Sequence, residues 1–260
     1  MRIRRLFLGL DYSTWRGFKI KYGLRNYDPM EHHEPAIFYG MYNKNHHNML
    51  MRHTGLAVVI WAGSDSITIP PYLSKWCIEN KHRVFHLAYS HWIKADLDKA
   101  GIKYIEKPIF GLGFDEFKYT GRTGPNIYHY YAHKERKEFY GYTYLKKIAD
   151  ENPGLRFSFS QFGQYKREQL QAVYDSCFLG VRLTWHDQMA LSVVEMGLLG
   201  KRSIFNGNLP CAIPYKDNDE VFRLIKQYWA DPPPPDPKLA QEMREFTYDD
   251  EKWLNTEFYD

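Results

Sequence analysis

The chain is poor in cysteine: three residues, Cys77, Cys177 and Cys211, stand far apart among 260. No Cys-x-x-Cys pair or Cys/His spacing occurs, which excludes a disulfide framework and a zinc module. A reducing, cytoplasmic setting is the expectation. Long apolar runs are also missing. Nothing approaches the about 20 residues of a membrane span, and "LFLGL" near the start is too short for the apolar region of a signal peptide. No Gly-x-Gly-x-x-Gly follows a strand pattern, which argues against a nicotinamide-dependent oxidoreductase. Charge of one sign is not in large excess: the net charge is +4 and the pI about 8.7. A dedicated nucleic-acid binder is usually more basic, although a polyanionic partner stays compatible. No short-period repeat is present. His32-His33 and His46-His47 invite a metal reading, but adjacent histidines diverge and no carboxylate spacing completes a site, so no metal is expected.

What is present is an ordinary globular composition, 44% hydrophobic and 25% charged, with 17% aromatics including 21 Tyr. Such rings fill cores and also suit sugar or base stacking. Strand-like runs ("AIFYGMY", "LAVVIWAGSD", "RVFHLAYS") alternate with helical ones ("PYLSKWCIEN", "HWIKADLDKAG"), and the rhythm returns after residue 124 ("PNIYHYYA", "GLRFSFS", "CFLGVRLT"). Alternation of this kind predicts an α/β fold with parallel sheets covered by helices. About five β-α units precede residue 108 and about four follow residue 124. Between them lies "PIFGLGFDEFKYTGRTGP", glycine-rich and aperiodic, the expected hinge. Two Rossmann-like domains follow, over residues 1–112 and 113–260, with "FTYDDEKWLNTEF" as a final amphipathic helix that could pack back on the first. In open α/β sheets ligands bind beyond the carboxyl ends of the strands, which makes a cleft between the domains the default site.

The segment "WHDQMALSVVEMGLLGKRSIFNG", from Trp185 to Gly207, holds the main anomaly. Glu195 stands among Val193, Val194, Met196, Leu198 and Leu199, where a carboxylate needs a partner. Asp187 stands eight positions earlier, after a strand and before the helix. Gln188, Met189, Ala190 and Leu191 then form the turn at the helix N-terminus, where backbone amides and the helix dipole favour an anion such as a diphosphate. Glu195, about one turn in, could accept hydrogen bonds from the vicinal hydroxyls of a ribose. The bland alternative is an N-cap aspartate and a solvated helix glutamate.

This segment resembles the E-x7-E stretch of the retaining, nucleotide-sugar-dependent GT-B glycosyltransferases (family 4-like), roughly E-G-F-G-L-P-x-x-E-A-x-A-x-G-x-P-V-I. Asp187 falls on the first acid, Leu191 on the Leu, Glu195 on the second acid and Gly200 on the Gly. The departures are Asp for Glu, Gln188 and Ala190 for two glycines, Ser192 for Pro and Arg202 for the later Pro. The resemblance covers residues 125–255 by motif and the first half by architecture alone. It implies a compact GT-B fold of two Rossmann-like domains with parallel sheets facing a central cleft. It further implies a first acid on the donor sugar, loop amides on the diphosphate and a second acid on the ribose. No metal or cofactor is implied beyond the nucleotide-diphosphate sugar as co-substrate. The chain lacks the Asp-x-Asp of the metal-dependent class: "DLD" at Asp96–Asp98 falls inside a predicted helix and "DND" at Asp217–Asp219 caps one.

Further candidates follow from position. The family's diphosphate-neutralising cations correspond to "YYAHKERKEFYG", giving Lys134, Arg136 or Lys137. "SQFGQY" offers Phe162 or Tyr165 for stacking on a base. In "STWRGFK", Gly17 could let backbone approach the donor phosphate or the acceptor, as glycines do in the matching loop of the family it resembles. Asp65 in "WAGSDS" could contact an acceptor hydroxyl or only cap a turn, and His91 starts a helix near the same edge. Asp187 and Asp65 are thus the candidate catalytic carboxylates, and Gly17, Lys134, Arg136, Gln188, Met189, Ala190, Leu191 and Glu195 the candidate donor-binding residues. The expected activity is hexosyl transfer from a nucleotide sugar to a large acceptor: a glycan, a protein or, as in viral hydroxymethyl-pyrimidine glycosyltransferases, a modified DNA base. A non-catalytic nucleotide-sugar binder is the alternative.

Overall fold

A computed structural model of the chain describes residues 1–9, 13–110 and 113–259, with backbone alone at residues 13–16. Gly111 and Leu112 of the expected hinge, and with them the expected domain boundary at residue 112, lie outside the described residues. The chain divides into two units. One comprises Met1–Gly113, His186–Met189 and Asp249–Asp260; the other comprises Phe114–Trp185 and Ala190–Tyr248.

The first unit holds a six-stranded parallel sheet: β1 (Arg5–Leu8), β2 (Arg25–Asn26), β3 (Ala36–Tyr39), β4 (Ala57–Ile60), β5 (Val84–Ala88) and β6 (Ile105–Glu106), in the order β2-β1-β3-β4-β5-β6. β3 and β4 are buried at every position, as strands covered on both faces must be. The two faces are separate cores. One gathers Leu6, Ile37, Val58 and Ile60 with Trp253 and Leu254 from the chain's last segment. The other gathers Phe38, Val59 and Trp61 with Leu73, Ile93 and Leu97. The helices are α1 (Ser13–Lys21), α2 (Lys44–Arg52), α3 (Pro71–Glu79) and α4 (His91–Lys99). Pro71 opens α3 at its first position, where its missing N–H costs nothing.

The second unit holds a five-stranded parallel sheet of β7 (Asn126–Tyr130), β8 (Arg156–Ser160), β9 (Cys177–Val181), β10 (Ser203–Ile204) and β11 (Ala212–Ile213), in the order β11-β10-β9-β7-β8. Its helices are α5 (Tyr142–Glu151), α6 (Arg167–Asp175), α7 (Leu191–Leu198), α8 (Asn218–Ala230) and α9 (Pro237–Thr247). β9 is buried throughout. Asp217 caps α8 by accepting from the Glu220 amide at 2.9 Å.

Ser90 precedes α4 without capping it by its side chain; its hydroxyl donates to the Asp187 carbonyl at 2.6 Å. Two sequence expectations are corrected. The final stretch is not an amphipathic helix. α9 stops at Thr247, and two short 3-10 turns follow, Lys252–Leu254 and Thr256–Tyr259. Asp249 accepts from the Trp253 indole at 2.9 Å and the Tyr22 hydroxyl at 2.6 Å, and these bonds fix Trp253 in the core in place of a helical ladder. Gly17 lies inside α1, not in a loop. Among the described residues, no helix is long and apolar enough to cross a membrane.

Candidate active site

In the second unit the site grows from the C-terminal end of β9 and the start of α7. Ala190 is the N-cap of α7, with no side-chain hydrogen bond closing the first turn. Glu195 lies in the middle of the helix and is buried, its side chain 4% exposed. Its partners come from α6, where Arg167 and Tyr174 stand seven residues apart and therefore on one face. Arg167 Nη1 donates to Glu195 Oε1 at 2.8 Å, and the Tyr174 hydroxyl donates to Oε2 at 2.6 Å. Burial pushes the Glu195 carboxyl up, while the Arg167 charge and the Tyr174 hydrogen bond pull it down.

The same guanidinium pairs with Glu116 and lies over the Phe114 and Phe117 rings, at 5.9 and 5.0 Å. Tyr174 packs perpendicular to Tyr128, which shares a 2.6 Å hydrogen bond with Ser160. Below this layer Lys201 is buried and donates to the carbonyls of Tyr174 and Cys177. Burial pushes its ammonium down to about 8. Arg182, one residue past β9, is buried with its guanidinium over Tyr140 and Tyr130, at 4.8 and 5.8 Å.

Lys134 and Arg136 lie on an exposed 3-10 turn, Lys134–Tyr140, with Arg136 over the Phe139 ring at 4.9 Å. Lys137 is on the same turn. Phe139 in turn packs edge-on against Trp185, which is exposed. Phe162 is exposed beside His133.

The other end of the motif belongs to the first unit. His186, Asp187, Gln188 and Met189 pack with it, so the two acids of the motif are distributed over both units. The Asp187 carboxylate accepts from the Gln188 amide at 2.9 Å, and its carbonyl is held by Ser90. His186 Nε2 is 2.8 Å from Asp96 Oδ2, which also accepts from the buried Ser66 hydroxyl at 2.7 Å. Gly63, at φ +124, passes close to the Gln188 amide. Asp65 is buried and its two oxygens accept from the Ala62 and Met41 amides, both at 2.8 Å. Burial raises its carboxyl to about 6 against those hydrogen bonds. The bonds join the loops after β3 and β4, which gives Asp65 the geometry of a loop clamp. Among the described residues no cluster of three or more His, Cys, Asp and Glu could hold a metal ion.

The chain is similar to sucrose-phosphate synthase from Thermosynechococcus elongatus, with a TM-score of 0.53 at 12% identity, covering 94% of this chain and 73% of that one. It is also similar to TarM, with a TM-score of 0.51 at 12% identity, over 87% of this chain and 52% of that one. The fold is GT-B. The chain spans about half the length of TarM. No family model and no curated protein matches it. Within this GT-B fold, sequence reasoning singled out Glu195 and Asp187 but missed Arg167, Tyr174, Arg182 and Lys201. Arg182, directly after the apolar run "CFLGV", was the one with a local signal. The others are defined by partners distant in sequence.

Proposed function

We propose that the chain is a glycosyltransferase that moves a sugar from a nucleotide-diphosphate donor to a hydroxyl of a large acceptor, with retention of configuration. The observation that carries this reading is a carboxylate kept deep in α7 by Arg167 and Tyr174, eight residues beyond Asp187, in a GT-B fold. A purely structural helix would place a leucine there at less cost. In the proposed complex Glu195 takes the ribose hydroxyls and the first turn of α7 the diphosphate, while Asp187 orients the donor sugar. Lys134, Arg136 and the buried Arg182 supply compensating charge, the electrostatic contribution expected for a phosphate leaving group. The acceptor oxygen bonds to the anomeric carbon as the carbon–phosphate oxygen bond breaks. The departing phosphate oxygen takes the acceptor proton on the same face. This chemistry asks for positioning and charge, with no metal.

The acceptor in this reading is bulky: a glycan, a protein or a modified DNA base. With a net charge of +4, the DNA version predicts salt-sensitive duplex binding, and a filter-binding titration without it excludes that acceptor. A cytoplasmic location belongs to the same proposal. The non-catalytic alternative rests on the altered motif: Asp187 is one methylene shorter than the glutamate it replaces, and Gln188 and Ala190 stand where two glycines are expected. The deciding experiment is a thermal-shift panel of UDP, GDP, ADP, TDP and CMP and their sugar conjugates, followed by donor hydrolysis. A shift with turnover supports the transferase, a shift without turnover supports the binder, and no shift with any nucleotide removes both.

A further inference from the structure

We propose that Arg167 and Tyr174 are positioning residues that set the ribose preference of the site by holding Glu195 in one orientation. The proposal rests on the donor reading above. Its basis is geometric. A carboxylate that must accept from two vicinal hydroxyls needs its plane fixed, and Glu195 is fixed at both oxygens by donors of different kind. Arg167 reaches Oε1 at 2.8 Å and Tyr174 reaches Oε2 at 2.6 Å.

Each carboxylate oxygen offers two acceptor sites, so one donor per oxygen leaves capacity for one hydroxyl on each. Both donors come from one face of α6 and are themselves held. Arg167 is gripped by Glu116 and rests on Phe114 and Phe117, and Tyr174 packs perpendicular to Tyr128. Tyr174 is buried, whereas Arg167 is 31% exposed. Of the two donors, the arginine is thus the one in contact with solvent. A helix whose only need was stability would gain nothing from this apparatus, since ordering a charge at 4% exposure costs more than an apolar residue of like volume.

The test compares Kd values for UDP, GDP and ADP with those for their 2′-deoxy counterparts, by calorimetry, on wild type, Arg167→Met, Arg167→Lys and Tyr174→Phe. Wild type should prefer the ribonucleotide roughly tenfold or more, the worth of hydrogen bonds to a charged group. Arg167→Met should bring that ratio towards one while leaving diphosphate-dependent binding measurable, and Arg167→Lys should restore part of it. Tyr174→Phe removes one oxygen and no packing, and should lower the ratio several-fold. It serves as the independent arm should Arg167→Met fail to fold. Folded variants that keep the wild-type ratio overturn the proposal but leave the donor reading intact. Wild type that binds nucleotides without ribose preference also overturns it alone. Wild type that binds none of the nucleotides overturns both.

Discussion

Glu195 illustrates what a single residue can be asked to do. Its charge is disfavoured by burial and restored by two donors, so the network is costly to break and informative when broken. Arg167→Met leaves a buried carboxylate short of its cation and should destabilise the second unit by roughly 3 kcal/mol. Adding Glu195→Gln in the same chain removes the orphaned charge and should recover most of that loss. Urea denaturation of Arg167→Met, Glu195→Gln and the double variant measures both terms, and a double-variant loss equal to the sum of the single losses would show that the pair carries no coupling. Lys201 gives a second residue-level expectation. Its ammonium is pushed down to about 8, against 10.5 for an ordinary lysine. Between those values the unfolded chain holds the extra proton, so this group's contribution to stability rises with pH through that window. Urea midpoints at pH 7.5 and 9.5 should therefore differ less in Lys201→Met than in wild type.

At the scale of elements, α7 is decided by how closely it is packed. A methyl group on Gly197 would meet Cys211 Sγ at 2.7 Å and Met243 Cγ at 2.8 Å, the latter on α9. Gly200 ends the segment at φ +76, where a Cβ would also strike the Asp236 backbone. Gly197→Ala is expected to cost about 1–3 kcal/mol by overpacking, a drop of several degrees in Tm. An unchanged Tm would mean that α7 shifts freely, and a freely shifting helix could not keep Glu195 aligned with Arg167. Asp236 serves both helices: its amide donates to the Gly200 carbonyl at 2.8 Å and its side chain caps α9. The prolines of "DPPPPDP" thus end α8 and deliver that cap.

At the scale of the whole molecule, acid sensitivity should be pronounced. Burial pushes His53 and His129 down to about 4 and His86 to about 3, from 6.5. As pH falls below 6.5 the unfolded chain takes up these protons first. Stability then drops until the folded values are reached, by roughly 3 kcal/mol for His53 and His129 and roughly 5 kcal/mol for His86. Asp65 acts with the opposite sign between 3.8 and about 6, as does Glu195, whose carboxyl burial also raises. Urea midpoints followed by circular dichroism should decline from pH 6.5 to 4.5, and a flat profile would contradict the neutral, buried state of these rings. The last segment is the second whole-molecule expectation. Trp253 and Leu254 are fully buried in the first unit, and the Ile3 amide donates to the Leu254 carbonyl at 2.7 Å. Removal of residues 249–260 should open that core and give protein that unfolds at lower urea or fails to stay soluble.

Alternating β and α patterns, the turn residues between them and the unbroken apolar runs of β3, β4 and β9 were enough to specify two parallel α/β sheets, because these signals are local and depend on period and burial alone. The anomaly of Glu195 was legible for the same reason: a carboxylate inside an apolar stretch stands out without any knowledge of its neighbours. Its partners were not legible, since Arg167 and Tyr174 lie 28 and 21 residues away and only the packing of α6 against α7 joins them. Gly17 was misplaced because a lone glycine after a strand signals a loop, whereas the surrounding residues continue α1. Asp65 was read as an acceptor contact or a turn cap, and sequence could not show that the Met41 and Ala62 amides converge on it. The tertiary structure also decided that His186–Met189 and the last twelve residues belong with the first unit. Such assignments depend on which surfaces meet, and chain order does not record that.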